Sequence, residues 1–127
     1  MSRIRIALAG LAAVVAVVGV TAGASLAAGS KTKAVKPTTI TVKASEFKYV
    51  LSAKRAKVGK VTFKVTNVGK EAHNFVILSG INKGTPLIQP KKTVSLTVTF
   101  KKKGAYTYEC TVGEHAEEGM LGTFTVK

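Results

Sequence analysis

The sequence predicts an all-β protein, an antiparallel β-sandwich formed by residues 39–127. Short stretches there alternate apolar and polar residues with a period of two, and Gly, Asn and Pro signals separate them at short intervals. No helical period of useful length competes with that pattern, and neither an internal repeat nor a nucleotide-binding glycine loop is present.

The amino terminus has a different composition. Arg3 and Arg5 precede an uncharged apolar run over 6–20, and small residues continue through Ala28, the pattern of a secretory signal with Ser25-Leu26-Ala27 as its processing site. Residues 1–27 are read as that signal; the alternative is an uncleaved anchor, since 6–28 is free of charge and long enough to span a bilayer. Both readings export the domain to a periplasmic, cell-surface or extracellular location. Residues 28–38 are Lys-rich, carry Pro37 and show no apolar period, as in a flexible linker.

Within the domain, Ile40, Val42 and Ala44 point inward, and Phe47, Tyr49 and Leu51 do so on the opposite parity, which predicts a bulge near Ser45-Glu46. Val58-Gly59-Lys60 reads as a turn. Val61, Phe63 and Val65 form the next inner face, closed by Asn67-Val68-Gly69. His73, Phe75 and Ile77 share a parity, and the apolar Val76 and Leu78 predict that this strand is covered on both sides. Residues 80–89 read as a connection between sheets. Val94, Leu96, Val98 and Phe100 alternate through a long strand, and Lys101-Lys102-Lys103-Gly104 predicts a hairpin into Tyr106, Tyr108 and Cys110.

The chain carries a formal charge of +14, from 20 basic and 6 acidic residues; without residues 1–27, which hold Arg3, Arg5 and no acid, it is 18 − 6 = +12. Such charge favours an anionic membrane or cell-wall surface, or an acidic partner. Nucleic acid is excluded as the partner by export and by the alternation of Lys60, Thr62, Lys64 and Thr66, which is that of a solvated sheet face.

The chemistry concentrates in Tyr106–Gly122. Cys110, His115 and Met120 follow one another as C-x4-H-x4-M in one loop between strands, with glycines at 113, 119 and 122 to let a short loop turn its side chains back. The chain's only other histidine, His73, begins a predicted strand upstream. A thiolate, one or two imidazoles and a weak thioether are the ligands of a mononuclear electron-transfer copper. Taken singly, each residue has a plainer reading: a buried small hydrophobe, a surface histidine, a gap-filling methionine. Their conjunction outweighs those readings. The lone Cys110 has no internal disulfide partner, and an unpaired thiol in an oxidising compartment is explained by metal ligation or, alternatively, by a bridge to a second chain.

Gly59-Lys-Val-Thr-Phe-Lys-Val-Thr-Asn67, His73-Asn74-Phe75 and Tyr108-Glu-Cys110-x4-His115-x4-Met120-Leu-Gly122 together resemble the cupredoxins, the small blue copper proteins. The resemblance covers 39–127 and implies a cupredoxin-like Greek-key β-sandwich, one type 1 copper ion held by His73, Cys110, His115 and Met120, and single-electron exchange with redox protein partners. It also implies that Asn74 locks the two ligand segments together, where the plainer reading is an ordinary strand-end hydrogen bond, and that backbone N–H groups reach the Cys110 sulfur. Plastocyanin-like members usually have two residues between the Cys and the His; the four here are similar to rusticyanin or, for that interval only, azurin. Ala72 stands where relatives often have Pro or Gly, and its carbonyl is the alternative axial donor to Met120. With all four positions filled by protein, no open site remains for an enzyme's substrate. The expected protein is a monomer that docks partners near His115, the ligand nearest solvent, within a collar of Glu114, Glu117 and Glu118. A copper storage or delivery protein is the rival function.

Overall fold

The computed structural model describes residues 36–127, together with the isolated Gly19, Gly23 and Gly29. The expected export signal, 1–27, and most of the expected linker, 28–38, lie outside the described residues. Nine strands follow: β1 (Thr38–Ser45), β2 (Lys48–Leu51), β3 (Arg55–Ala56), β4 (Gly59–Asn67), β5 (Val76–Ile77), β6 (Lys83–Gly84), β7 (Thr93–Phe100), β8 (Gly104–Glu109) and β9 (Leu121–Val126). They form two sheets, one ordered β2-β1-β4-β7 and the other β3-β9-β8-β5-β6. The all-β sandwich is therefore as expected, although two of its pairs, β1 with β4 and β3 with β9, run parallel.

Register follows the inward residues. Ile40 lies opposite Phe63 and Val42 opposite Val65; Val61 lies opposite Val98 and Phe63 opposite Leu96. All are buried, and a slip of one residue in either pair would turn its whole apolar set to water. On the solvent side Thr62 meets Thr97 and Thr66 meets Thr93 through hydroxyl contacts of 3.0 and 2.8 Å, the cross-strand counterpart of the inner packing. From the other sheet, Tyr106, Tyr108, Phe124 and Val126 close the core. Phe63 is its centre: its ring lies 5.2 Å from those of both Phe75 and Phe124, so the two sheets meet through aromatic contacts.

Three expectations are corrected. The parity change at Ser45-Glu46 is a reversal of the chain rather than a bulge, since β2 folds back antiparallel on β1 with Ser45 opposite Lys48. β7 and β8 do not form a hairpin: β7 pairs only with β4, β8 pairs with β5 and β9, and residues 101–103 carry the chain from one sheet to the other. The strand expected after His73 shrinks to Val76–Ile77, and its second face is only half-covered, with Val76 and Leu78 partly exposed. Residues 80–89 do cross between sheets, and on the way they form β6 and bury Thr85 and Ile88.

Asn67 links this framework to the loop beyond β4. It is fully buried; its side-chain amide donates to the carbonyls of Glu71 (2.7 Å) and Ile88 (2.8 Å), and its oxygen accepts the Gly69 N–H (2.9 Å). Asn67→Ala strands those groups, so we expect a loss of about 1–3 kcal/mol, read as a lower urea midpoint at unchanged m-value. An unchanged midpoint would show that water replaces the amide without cost.

Candidate metal centre

The aromatic face of β8 delivers Cys110 to the end of the sandwich, where it is fully buried one residue past the strand. Its N–H donates to the carbonyl of Met120 (3.0 Å), which is also fully buried and stands immediately before β9. The loop between them winds through consecutive turns. His115 N–H bonds the Val112 carbonyl (3.1 Å), Glu118 N–H that of Glu114 (3.0 Å), and Met120 N–H that of His115 (2.9 Å). Gly113 and Gly119 sit at φ 48° and 108°, conformations in which a side chain would be strained. Gly122 serves another purpose: a Cβ there would run into the Tyr108 ring.

His73 arrives from the other side. It exchanges two backbone hydrogen bonds with Ile88, of 3.1 and 2.7 Å, and its side chain has no solvent access. The next residue ties this segment to the ligand loop. The Asn74 amide donates to Thr111 Oγ1 (2.7 Å), and its oxygen accepts the Thr111 N–H (2.8 Å). The Asn74 carbonyl in turn accepts the Tyr49 hydroxyl. Burial, and next the charge of nearby Cys110, push the Tyr49 hydroxyl well above its ordinary pKa, so it remains a donor at neutral pH. Ala72 is half-buried beside His73.

These segments bring Cys110, His73 and His115 together. His73 Nδ1 lies 3.2 Å from His115 Nδ1, and Cys110 Sγ lies 3.6 Å from His115 Nδ1. One donor atom from each residue falls within 4.8 Å of the other two. An ion with bonds of about 2.0–2.3 Å to nitrogen and sulfur fits among donors so spaced. The donor chemistry of soft sulfur with two imidazoles suits copper in both of its common oxidation states. His115 is the only one of the three with solvent access, its side chain 12% exposed, and the Phe47 ring lies against it edge-on at 5.0 Å.

Two residues next to the donors were not singled out from sequence. Glu46, in the turn between β1 and β2, places Oε1 3.3 Å from His73 Nε2, and Glu71 places Oε2 3.0 Å from His115 Nε2. Both lie in segments at the same end as the Cys110 loop, as do Glu109, Glu114, Glu117 and Glu118, so all six carboxylates of the chain gather there. Lys48, Lys70, Lys91 and Lys92 share that end. Lys36, Lys54, Arg55, Lys57, Lys60, Lys101, Lys102, Lys103 and Lys127 belong to the opposite one, where β1 and β4 begin and β7 and β9 finish.

A buried thiol and two imidazoles closing on one point at the end of a β-sandwich define a mononuclear copper module. The chain belongs to the cupredoxin-like family, whose profile, described as a cupredoxin-like domain, matches residues 11–126, and its cofactor is copper. Among solved structures it is similar to dithionite-reduced auracyanin from Roseiflexus castenholzii, at 24% identity over 71% of this chain and 97% of that one, with a TM-score of 0.63. It is also similar to auracyanin A, a "blue" copper protein from Chloroflexus aurantiacus, at 22% identity over 72% and 99% of the two chains and a TM-score of 0.60. Auracyanin B is 18% identical over 71% of this chain and 88% of its own, again with a TM-score of 0.60. No curated protein sequence matches the chain.

Glu46 is held at a pKa of about 2, below the ordinary 4.5. The Glu71 N–H contributes most, then its own N–H; against the opposing effect of desolvation, the Lys70 N–H and the His73 ring add to the shift. A depressed carboxylate stabilises the fold above its unfolded pKa and stops doing so as pH falls through the folded value. In metal-free protein, Glu46→Gln should therefore lower the urea midpoint at neutral pH, with the gap from wild type closing between about pH 4.5 and about pH 2. A gap independent of pH would show that the charge contributes nothing.

Proposed function

We propose that the protein is an exported mononuclear blue copper carrier that passes single electrons between redox partners, with His73, Cys110, His115 and Met120 as ligands. The convergence of two Nδ1 atoms on the Cys110 sulfur, in a pocket closed except at His115, carries the reading. Copper supplies the one-electron couple; the chain's part is to hold its donors still and keep water away. The Asn74–Thr111 pair and the Cys110–Met120 backbone bond do the first, and burial of Cys110, His73 and Met120 does the second. With His73, Cys110, His115 and Met120 as its ligands the centre keeps no position open for a substrate, which supports an electron carrier over an enzyme.

The His115 ring edge is the exit toward a partner, because it is the most exposed of the four residues. The carboxylates around it favour a partner with a basic docking face. At the far end the lysines, and the tether that enters there at Lys36, favour an anionic membrane or wall surface, so that the copper end faces outward. Residues 1–27 act as the export signal, 28–38 as the tether, and the domain works as a monomer.

Added Cu(II) should give an intense blue thiolate absorption that bleaches on reduction and returns on oxidation. Cys110→Ser should abolish it without unfolding the sandwich, and Met120→Leu should stay blue at a higher reduction potential. A colourless complex, or copper released in each cycle, favours storage or delivery instead. An unchanged potential in Met120→Leu removes the thioether from the ligand set.

Electron transfer to a cationic inorganic acceptor should slow with added salt, since screening shortens the field to about 8 Å at physiological ionic strength. Glu117→Lys with Glu118→Lys should slow it further and speed transfer to an anionic acceptor. Stopped-flow rates that are equal for both acceptors and unmoved by the substitutions would remove the carboxylates from docking.

A further inference from the structure

Both histidines present Nδ1 to the common point and turn Nε2 onto a carboxylate, Glu46 for His73 and Glu71 for His115. We infer that Glu46 and Glu71 are positioning residues for the metal: each accepts the Nε2–H of one ring, fixes the tautomer that leaves Nδ1 free to ligate, and biases the bound ion toward its more highly charged state. The inference rests on the proposed ligand set.

The neutral imidazole has a single N–H, and an acceptor at Nε2 keeps the proton there and the Nδ1 lone pair available. A carboxylate acceptor also makes the ring a stronger donor than a carbonyl or water does. Two negative charges, each one ring-width from the donor point, stabilise a divalent ion more than a monovalent one.

The acceptors are themselves fixed. Glu46 Oε1 takes the N–H of Lys70 (2.6 Å) and of Glu71 (2.7 Å) in addition to the His73 ring. A side chain at Gly69 would collide with this carboxylate, so the backbone is shaped around it. The Glu71 carbonyl is held by the buried Asn67 amide. One connected path therefore runs from His73 through Glu46 to the Glu71 backbone, and on through the Glu71 side chain to His115. An adventitious surface ion pair needs none of this: the His73 side chain is fully buried, and that of Glu46 is only 28% exposed.

Glu46→Gln and Glu71→Gln keep a hydrogen-bond acceptor at each ring and remove only the charge. Glu71 is 56% exposed, and its carboxylate has no role in the Asn67 path, so its variant folds even where the Glu46 variant is weakened. Each copper-loaded variant should remain blue, with Cu(II) binding weakened relative to Cu(I). A tenfold change in that ratio is about 59 mV of higher potential for a one-electron couple. The effect should be larger at the less exposed Glu46.

Zn(II) provides a second readout by competition with a chromophoric chelator. Each variant should lose about tenfold in affinity, within the range seen when such partners of metal-bound histidines are removed. That measurement needs neither colour nor electron transfer. A colourless wild type whose variants still lose Zn(II) would sink the electron-carrier reading and leave this one standing. Potentials and Zn(II) affinities indistinguishable from wild type in both variants would overturn it, as would equal weakening of Cu(I), Cu(II) and Zn(II), which marks a purely structural role.

Discussion

The ligand loop is closed at its neck by the bond from Cys110 N–H to the Met120 carbonyl, and the geometry of the site depends on that closure. It continues the β8–β9 ladder one step beyond Glu109 and Leu121, so the sheet's register is carried directly into Cys110 and Met120. The second internal bond, from Met120 N–H to the His115 carbonyl, then fixes the backbone of His115 against that of Met120. His73 reaches the same point on a separate segment, fixed by Ile88 on one side and by the Asn74–Thr111 pair on the other. Placing a thiol and an imidazole out of water is costly unless each has partners. Here the two imidazoles have the Glu46 and Glu71 carboxylates at Nε2, and no buried polar side-chain atom among the described residues lacks a partner.

The distribution of charge separates two tasks that net charge alone conflates. A chain of +14 would be expected to present a basic surface everywhere, yet its six acids all sit at the donor end. Glu46 and Glu71 face inward to the histidines, while Glu114, Glu117 and Glu118 face solvent. Under the proposed function the first pair acts at short range on the site, and the outer three act on whatever approaches it. Screening weakens the outer set far more than the inner one.

Much of this was legible in the sequence because a half-buried strand writes its inner face with a period of two. The strands β1, β4, β7, β8 and β9 each bury one face over most of their length, and the alternation of residues such as Val61, Phe63 and Val65 reports it. Pairing was less legible. Lys101-Lys102-Lys103-Gly104 marks a change of direction but not whether the next strand stays in its sheet, and Glu46-Phe47 carries none of the Gly or Asn signals of a tight turn. β5 and β6 have two residues each, too few for a period. The candidate ligands stood out by rarity: one Cys, two His and a single Met beyond the first residue. Glu46 and Glu71 did not, since a carboxylate that meets a ring far along the chain leaves no local pattern. The only trace was parity, which sets Glu71 two residues before His73 on the same side of the chain.

If the sandwich presets the candidate ligands, the site is already formed before any ion enters. Comparing crystal structures of the metal-free, Cu(I) and Cu(II) proteins tests it most directly. The backbones of His73, Cys110, His115 and Met120 should superpose in all three, with the Cys110–Met120 bond and the Asn74–Thr111 pair intact. A loop that opens or repacks in any of them would contradict it.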